Sequence, residues 1–314
     1  MTELPRGLPA GYRSRPATVA DVAAIHGLVV ACERSLFGRA ETDRDRIAAE
    51  LARPGLDPVL DTQLVFDPDG ALAAWAWVDR RSEVDVHPDH RGLGLGGWLL
   101  DWAGARARAA GSARIVQTVP DDDLAAVALV RARGYEPLAT SWLLEIAMPT
   151  EPAVPDPPAG ITVRAFNGGD ERAAHQLIED AFDEWQERRR SFDEWVRLTV
   201  DRATFAPALS PVAFAGDQMI GAVLSLDDPD LGEGYIERVA VRRDQRNRGI
   251  ARLLLRWAFR AFFGHGQRVC TLWTHSNTGA LSLYERVGMT VRRSSTVYSK
   301  PLAGDLSRSS RATR

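Results

Sequence analysis

The chain repeats itself, and that repeat constrains the fold more than any single motif does. "RPATVADVAAIHGL" starts at Arg15 and "RAFNGGDERAAHQL" at Arg164. Arg15, Asp21, Ala24, His26 and Leu28 return as Arg164, Asp170, Ala173, His175 and Leu177, all at an offset of 149. "VDVHPDHRGLGLG" (84–96) then faces "VAVRRDQRNRGIA" (239–251) at an offset of 155, and "LVRARGY" (129–135) faces "LYERVGM" (283–289) at 154. A small drift of this kind is what loop insertions and deletions produce. Between the copies lies "PTEPAVPDPPAG", whose prolines resist both helix and sheet. The expected organisation is a first domain over 1–148, a linker over 149–160, a second domain over 161–300 and a tail over 301–314.

Each copy predicts the same order of elements. An opening strand leads to an amphipathic helix (21–32; 170–182) and then to a hairpin, with a D-P-D-G turn in the first copy and a G-D turn in the second. A further strand (83–87; 235–241) enters a loop that opens a helix (95–109; 250–263). A strand (113–119; 268–274), a short helix and a last strand complete the unit. Strands outnumber crossover helices, so the fold class is α/β (α+β), a mixed twisted sheet with helices on both faces.

The loop carries the chemistry. In "HRGLGLGGWLL" Gly92, Gly94 and Gly97 spell G-x-G-x-x-G, a pattern suited to dinucleotides. That pattern belongs after the first strand of such a fold, whereas several strands and a helix precede Gly92. The second copy, "QRNRGIARLLL", keeps only R-x-x-G-x-[G/A]. The shared loop offers unbonded backbone N–H groups at a helix start, which suits a phosphate or pyrophosphate. A tight turn with no ligand is the plain alternative.

A V-x-V strand, a short spacer, R-x-x-G-x-[G/A] at a helix start and a downstream "NTGALSLYERVGM", in this order, resemble the GNAT N-acetyltransferase family. The resemblance covers 161–300 and extends more weakly over 12–148, and the tandem architecture is similar to that of the mycothiol synthases. It implies acetyl-CoA as co-substrate. The pyrophosphate would lie on the loop Arg246, Asn247, Arg248, Gly249, Ile250 and Ala251, and the pantetheine arm along Val239, Ala240 and Val241. Asn277, at the start of the next helix, would contact pantetheine. Tyr284, seven residues on, would serve the leaving sulfur.

The implied reaction is direct attack of a bound amine on the thioester. A carboxylate that takes a proton from the ammonium assists it, and Glu237 and Glu233 are the candidates. Regular alternation would put both on one face with Val239 and Val241, and Glu237 is favoured because it lies inside the strand. The first copy places Val130 where Tyr284 stands, Asp123 where Asn277 stands and Ser82 where Glu237 stands. Its phosphate loop is intact, so Val84, Val86, Arg91, Gly92, Gly94 and Gly96 remain candidate contacts in a half expected to be non-catalytic. The expected function is acetyl transfer to the primary amine of a small molecule by the second half. The alternatives are a non-catalytic acyl-CoA sensor or scaffold and, less favoured, a dinucleotide oxidoreductase.

Other features read plainly. A net charge of −3 gives no reason to expect nucleic acid, and no long uncharged apolar run or leader suggests a membrane. Two cysteines, Cys32 and Cys270, suit a reducing compartment, so a cytoplasmic monomer or homodimer is expected. His26 and His175 lack partners at metal-ligand spacing, and no metal is expected. Asp183, Glu184 and Glu187 could favour a cationic acceptor, though a solvated helix face explains them as well. Trp75 and Trp77, and Trp98 and Trp102, are expected to pack.

Overall fold

The structure, a computed structural model, describes residues 7–302 except 41, 43, 54, 80, 184–187 and 228–231. From the N-terminus run β1 (Arg13–Arg15), α1 (Val22–Phe37), α2 (Arg44–Leu51), α3 (Pro58–Asp61), β2 (Thr62–Phe66), β3 (Leu72–Val78) and β4 (Ser82–Val86). They are followed by α4 (Leu95–Ala109), β5 (Arg114–Pro120), α5 (Leu124–Ala132) and β6 (Glu136–Ala147). The second copy contributes β7 (Ile161–Ala165), α6 (Glu171–Phe182), α7 (Phe192–Leu198), β8 (Pro211–Ala215), β9 (Gln218–Asp227) and β10 (Gly234–Val241). Then come α8 (Ile250–Gly264), β11 (Val269–His275), α9 (Leu281–Arg286) and β12 (Thr290–Pro301).

The chain forms two compact units, and their borders differ from the linear halves expected above. One unit takes in the chain to Thr140 together with the segment from Ser295, and the other spans Ser141 to Ser294. In the first, Ser295 to Pro301 of β12 pair antiparallel with β5. In the second, Ser141 to Ala147 of β6 pair antiparallel with β11. The reason lies in length. β6 and β12 are 12 residues each, about twice an ordinary strand, and a border falls inside each of them.

Within the first unit the strand order is β1-β2-β3-β4-β5-β12, and within the second β7-β8-β9-β10-β11-β6. The β4–β5 and β10–β11 contacts are parallel, while the other pairings described are antiparallel. Strand alternation builds the faces. In β3, Trp75 and Trp77 enter a core with Ile25, Leu28 and Ile47 of α1 and α2, while Ala74 and Ala76 lie beneath Leu95 and Leu99 of α4. In the second unit, Ile220 and Val223 pack with α8 on one face, and Met219, Ala222 and Leu224 pack with α6 on the other. A Cβ on Gly221 would come within 2.9 Å of Leu254, so glycine lets α8 settle closely on β9.

The recurring residues have structural work. Arg15 grips Asp21 through two bonds of 2.6 and 2.8 Å, and Arg164 grips Asp170 through two of 2.6 and 2.9 Å. These pairs hold the Asp21 carboxyl down to about 2 and lower Asp170 in the same direction. His26 Nε2 lies 3.1 Å from the Thr42 carbonyl, and His175 Nε2 lies 2.9 Å from that of Arg190. Each histidine thus ties down the chain beyond its own helix. Trp75, Trp77 and Cys270 are buried, and Trp98 and Trp102 are partly so.

Candidate active site

Both copies shape the strand–loop–helix alike. Gly92 and Gly94 have φ of +80° and +88°, and Asn247 and Gly249 have +62° and +81°. Asn247 is the only non-glycine among the described residues with positive φ, a conformation asparagine tolerates better than most. The loop therefore needs two left-handed residues, and the first need not be glycine. Gly94 and Gly249 are the N-caps of α4 and α8 and contribute no capping side chain. Their first-turn N–H groups therefore receive no cap oxygen, and a Cβ at Gly249 would meet nothing within 4 Å. This open helix start fits a pyrophosphate. Arg246 turns inward, donating to the carbonyls of Val241 at 3.3 Å and Ala181 at 3.4 Å, so it braces the loop.

The strands before and after the loop separate. β10 and β11 pair only from Gly234–Cys270 to Ile236–Leu272, although β10 runs on to Val241 and β11 to His275. Beyond Ile236 the edge of β10 toward β11 has no strand partner among the described residues. It is open to an extended ligand with amides of its own. In the first unit β4 and β5 pair only at Ser82–Gln117.

Glu237 lies where β10 breaks register with β9, between Ile236 and Arg238. This bulge overturns the expected alternation. Ile236, Val239 and Val241 pack with the α8 cluster, whereas Glu237 lines a cavity with Leu198 and Thr199 at the end of α7. In the first copy β4 pairs with β3 without a register shift, so Ser82 matches Ile236 and Glu83 matches Arg238, leaving Glu237 as the extra residue. Glu237 accepts from Arg202 at 2.8 Å. Glu233 sits before β10, at the end of the paired stretch remote from the separation. It is held by Arg292 at 2.9 and 3.1 Å, and the same guanidinium binds Glu145 at 2.5 Å. The structure does not bring Glu233 together with Glu237.

Tyr284 packs in the α8 cluster, 8% exposed, and burial pushes its hydroxyl up to about 12. Glu237 and Tyr284 thus lie on opposite faces of the sheet. Asn277 does not begin the next helix as expected. It lies in a single 3-10 turn (Ser276–Thr278), and left-handed Gly279 separates this turn from α9. Nearby, His275 Nδ1 is 2.7 Å from Ser141 Oγ, and burial and Arg238 lower its pKa.

The matching places of the first unit hold other chemistry. Val130 is buried, and Asp123 is spent on the N-cap of α5, accepting from Ala126 N at 2.9 Å. Asp85 stands where Ala240 stands, accepts from Trp75 Nε1 at 3.2 Å, and is pushed up to about 8 by burial and Glu83.

Residues 61–135 and 173–289 both match the acetyltransferase (GNAT) family. The chain belongs to that family. Each matched stretch falls in one copy, so this is a tandem GNAT acyltransferase. It is 27% identical to the mycothiol acetyltransferase of Catenulispora acidiphila, over 93% of this chain and 99% of that one. It is 31% identical to that of Kineococcus radiotolerans, over 72% and 77%. Its structure is similar to a GCN5-related N-acetyltransferase from Sphaerobacter thermophilus, with a TM-score of 0.80 and 30% identity over 95% and 98% of the two chains. A tandem GNAT protein of the clavulanic acid biosynthesis pathway shares the fold, with a TM-score of 0.72 at 15% identity over 93% and 99%.

Three arginines beside Glu237 escaped the sequence pattern: Arg190, Arg202 and Arg238. Their one sequence signal is the run Arg188-Arg189-Arg190, which follows the acidic residues Asp183, Glu184 and Glu187. Of those, Asp183 is paired with Arg189 at 2.9 Å, and Glu184 and Glu187 lie outside the described residues. Among the described residues no cluster could hold a metal ion, and no helix is long and apolar enough to cross a membrane.

Proposed function

We propose that the second unit transfers the acetyl group of acetyl-CoA to the primary amine of a small molecule by direct attack. The observation that carries this is the separation of β10 from β11 beside the open start of α8, flanked by Glu237 and Tyr284 on opposite faces. The open helix start suits the pyrophosphate, and the unpaired edge over Val239, Ala240 and Val241 suits pantetheine, with Asn277 beyond it. Acetyl-CoA supplies the activated acyl group.

Glu237 takes a proton from the bound ammonium, leaving a lone pair to attack the thioester carbon. As the N–C bond forms and the C–S bond breaks, the thiolate accepts a hydrogen bond from Tyr284, and the nitrogen sheds its second proton to solvent. With the hydroxyl near 12 and a thiol near 8.5, full transfer would be uphill by about 5 kcal/mol, so Tyr284 stabilises the thiolate chiefly as a donor. The first unit lacks this pair and acts as a non-catalytic partner fold.

Thiol release from acetyl-CoA with a panel of small amines tests this assignment. Tyr284→Phe and Glu237→Gln are each expected to lower kcat by about 100-fold. Stabilisation of the folded protein by acetyl-CoA should persist in both. Stabilisation by NAD and not by acetyl-CoA, or unchanged turnover in both variants, would overturn it.

A further inference from the structure

Building on the acetyl-transfer assignment, we infer that the acceptor carries a carboxylate as well as its amine, and that Arg190, Arg202 and Arg238 hold that carboxylate beside Glu237. A cavity of about 230 Å³ opens at the β10 bulge, lined by these three arginines, Leu198, Thr199 and Glu237. Among the described lining residues three arginines stand with one carboxylate, a formal surplus of two positive charges. Arg202 is paired with Glu237, whereas neither Arg190 nor Arg238 makes an ion pair with a described residue. Such a surplus in a concave site draws an anion, and the planar guanidinium fork matches a carboxylate in two-point contact.

The arginines are held in place by the fold. Arg190 N donates to Glu179 at 2.9 Å, and its carbonyl is 2.9 Å from His175 Nε2. Glu179 is 2% exposed, and the His175 ring meets those of Phe192 and Trp195 at 5.7 and 5.6 Å. Arg238 belongs to the bulge, donates to the Glu237 carbonyl at 3.1 Å and lies 5.8 Å from the Phe182 ring centre. In the first unit the matching histidine clamps the carbonyl of Thr42 and not that of an arginine, so the clamp is shared while the residue it holds differs.

A cavity with guanidiniums on one side and Glu237 on the other complements a zwitterion of the amino-acid type. An arriving carboxylate competes with Glu237 for Arg202. The Glu237 oxygen released in this way then faces the ammonium it must deprotonate. Acceptor binding and base release are one event.

The test compares L-amino acids with their carboxamides as acceptors for the full chain, read as thiol release. The carboxylate raises the pKa of the neighbouring amine, so intrinsic reactivity at neutral pH favours the amide. The expected result is the reverse: kcat/KM at least 100-fold higher for the best amino acid than for its amide, mainly through KM. Arg190→Gln should cut that preference below tenfold and leave stabilisation by acetyl-CoA unchanged. Amides used as well as acids, or a preference unaltered by Arg190→Gln and Arg238→Gln, would overturn the inference. Should no amine at all release thiol, the transfer assignment fails, and the carboxylate pocket is judged on binding alone. N-acetyl-L-amino acids must then raise the Tm of the parent protein but not of Arg190→Gln, and no such shift overturns it.

Discussion

The two strand–loop–helix copies show how little of a binding loop is chemical and how much is conformational. The first is written Arg91-Gly92-Leu93-Gly94 and the second Arg246-Asn247-Arg248-Gly249, yet both place left-handed backbone at the second and fourth positions. The difference arises just upstream. β4 pairs with β3 without interruption, whereas β10 admits one extra residue, and that residue is Glu237. A one-residue bulge bends the strand and re-aims a side chain that regular pleating would send elsewhere. Similar loops thus serve two units with different surroundings: Asp85, Asp123 and Val130 in one, Ala240, Asn277 and Tyr284 in the other.

The strongest way to break the contrast is to damage each loop in turn. Valine at φ near +80° is strained by about 1–2 kcal/mol or more, so each substitution distorts its own loop. Gly249→Val is expected to lower kcat/KM by more than 100-fold in folded protein, and Gly94→Val by less than threefold. Comparable losses from both would give the first unit a part in catalysis.

A pH experiment sharpens the difference at Asp85. Its carboxyl binds a proton more tightly in the fold, at about 8, than in the unfolded chain at about 3.9. Stability from this group is therefore full below about pH 4, declines as pH rises through about 8, and levels off beyond. Thermal scans between pH 5 and 8 should show a declining Tm, with a flatter slope in Asp85→Asn. An unchanged slope in that variant would remove Asp85 as the source. No carboxylate occupies the matching position of the second unit, where Ala240 stands.

The smallest effect probes what the copies share. Asp21→Asn and Asp170→Asn each weaken a two-bond grip by an exposed arginine and should each cost about 1 kcal/mol, or a Tm drop of about 2–4 °C. Equal drops would support an equivalent role for Arg15–Asp21 and Arg164–Asp170. A drop confined to one copy would show that the repeated pair has diverged in use.

The duplication, the order of elements, the start of α4 at Leu95 and of α8 at Ile250, and the strand–loop–helix were legible in the sequence because each depends on local spacing. Alternation and turn chemistry act within a few residues, and a repeat doubles their signal. Three features required the tertiary structure. The bulge at Glu237 arises from the mismatch of β10 against β9, and pleating alone predicted the wrong face for that side chain. Arg190, Arg202 and Arg238 converge from well-separated points of the chain, brought together where α7 and the turn after it meet β10. The borders of the units lie at Thr140 and Ser295, inside the two longest strands, because a strand's own pattern states which face is apolar but not which neighbour it will pair with.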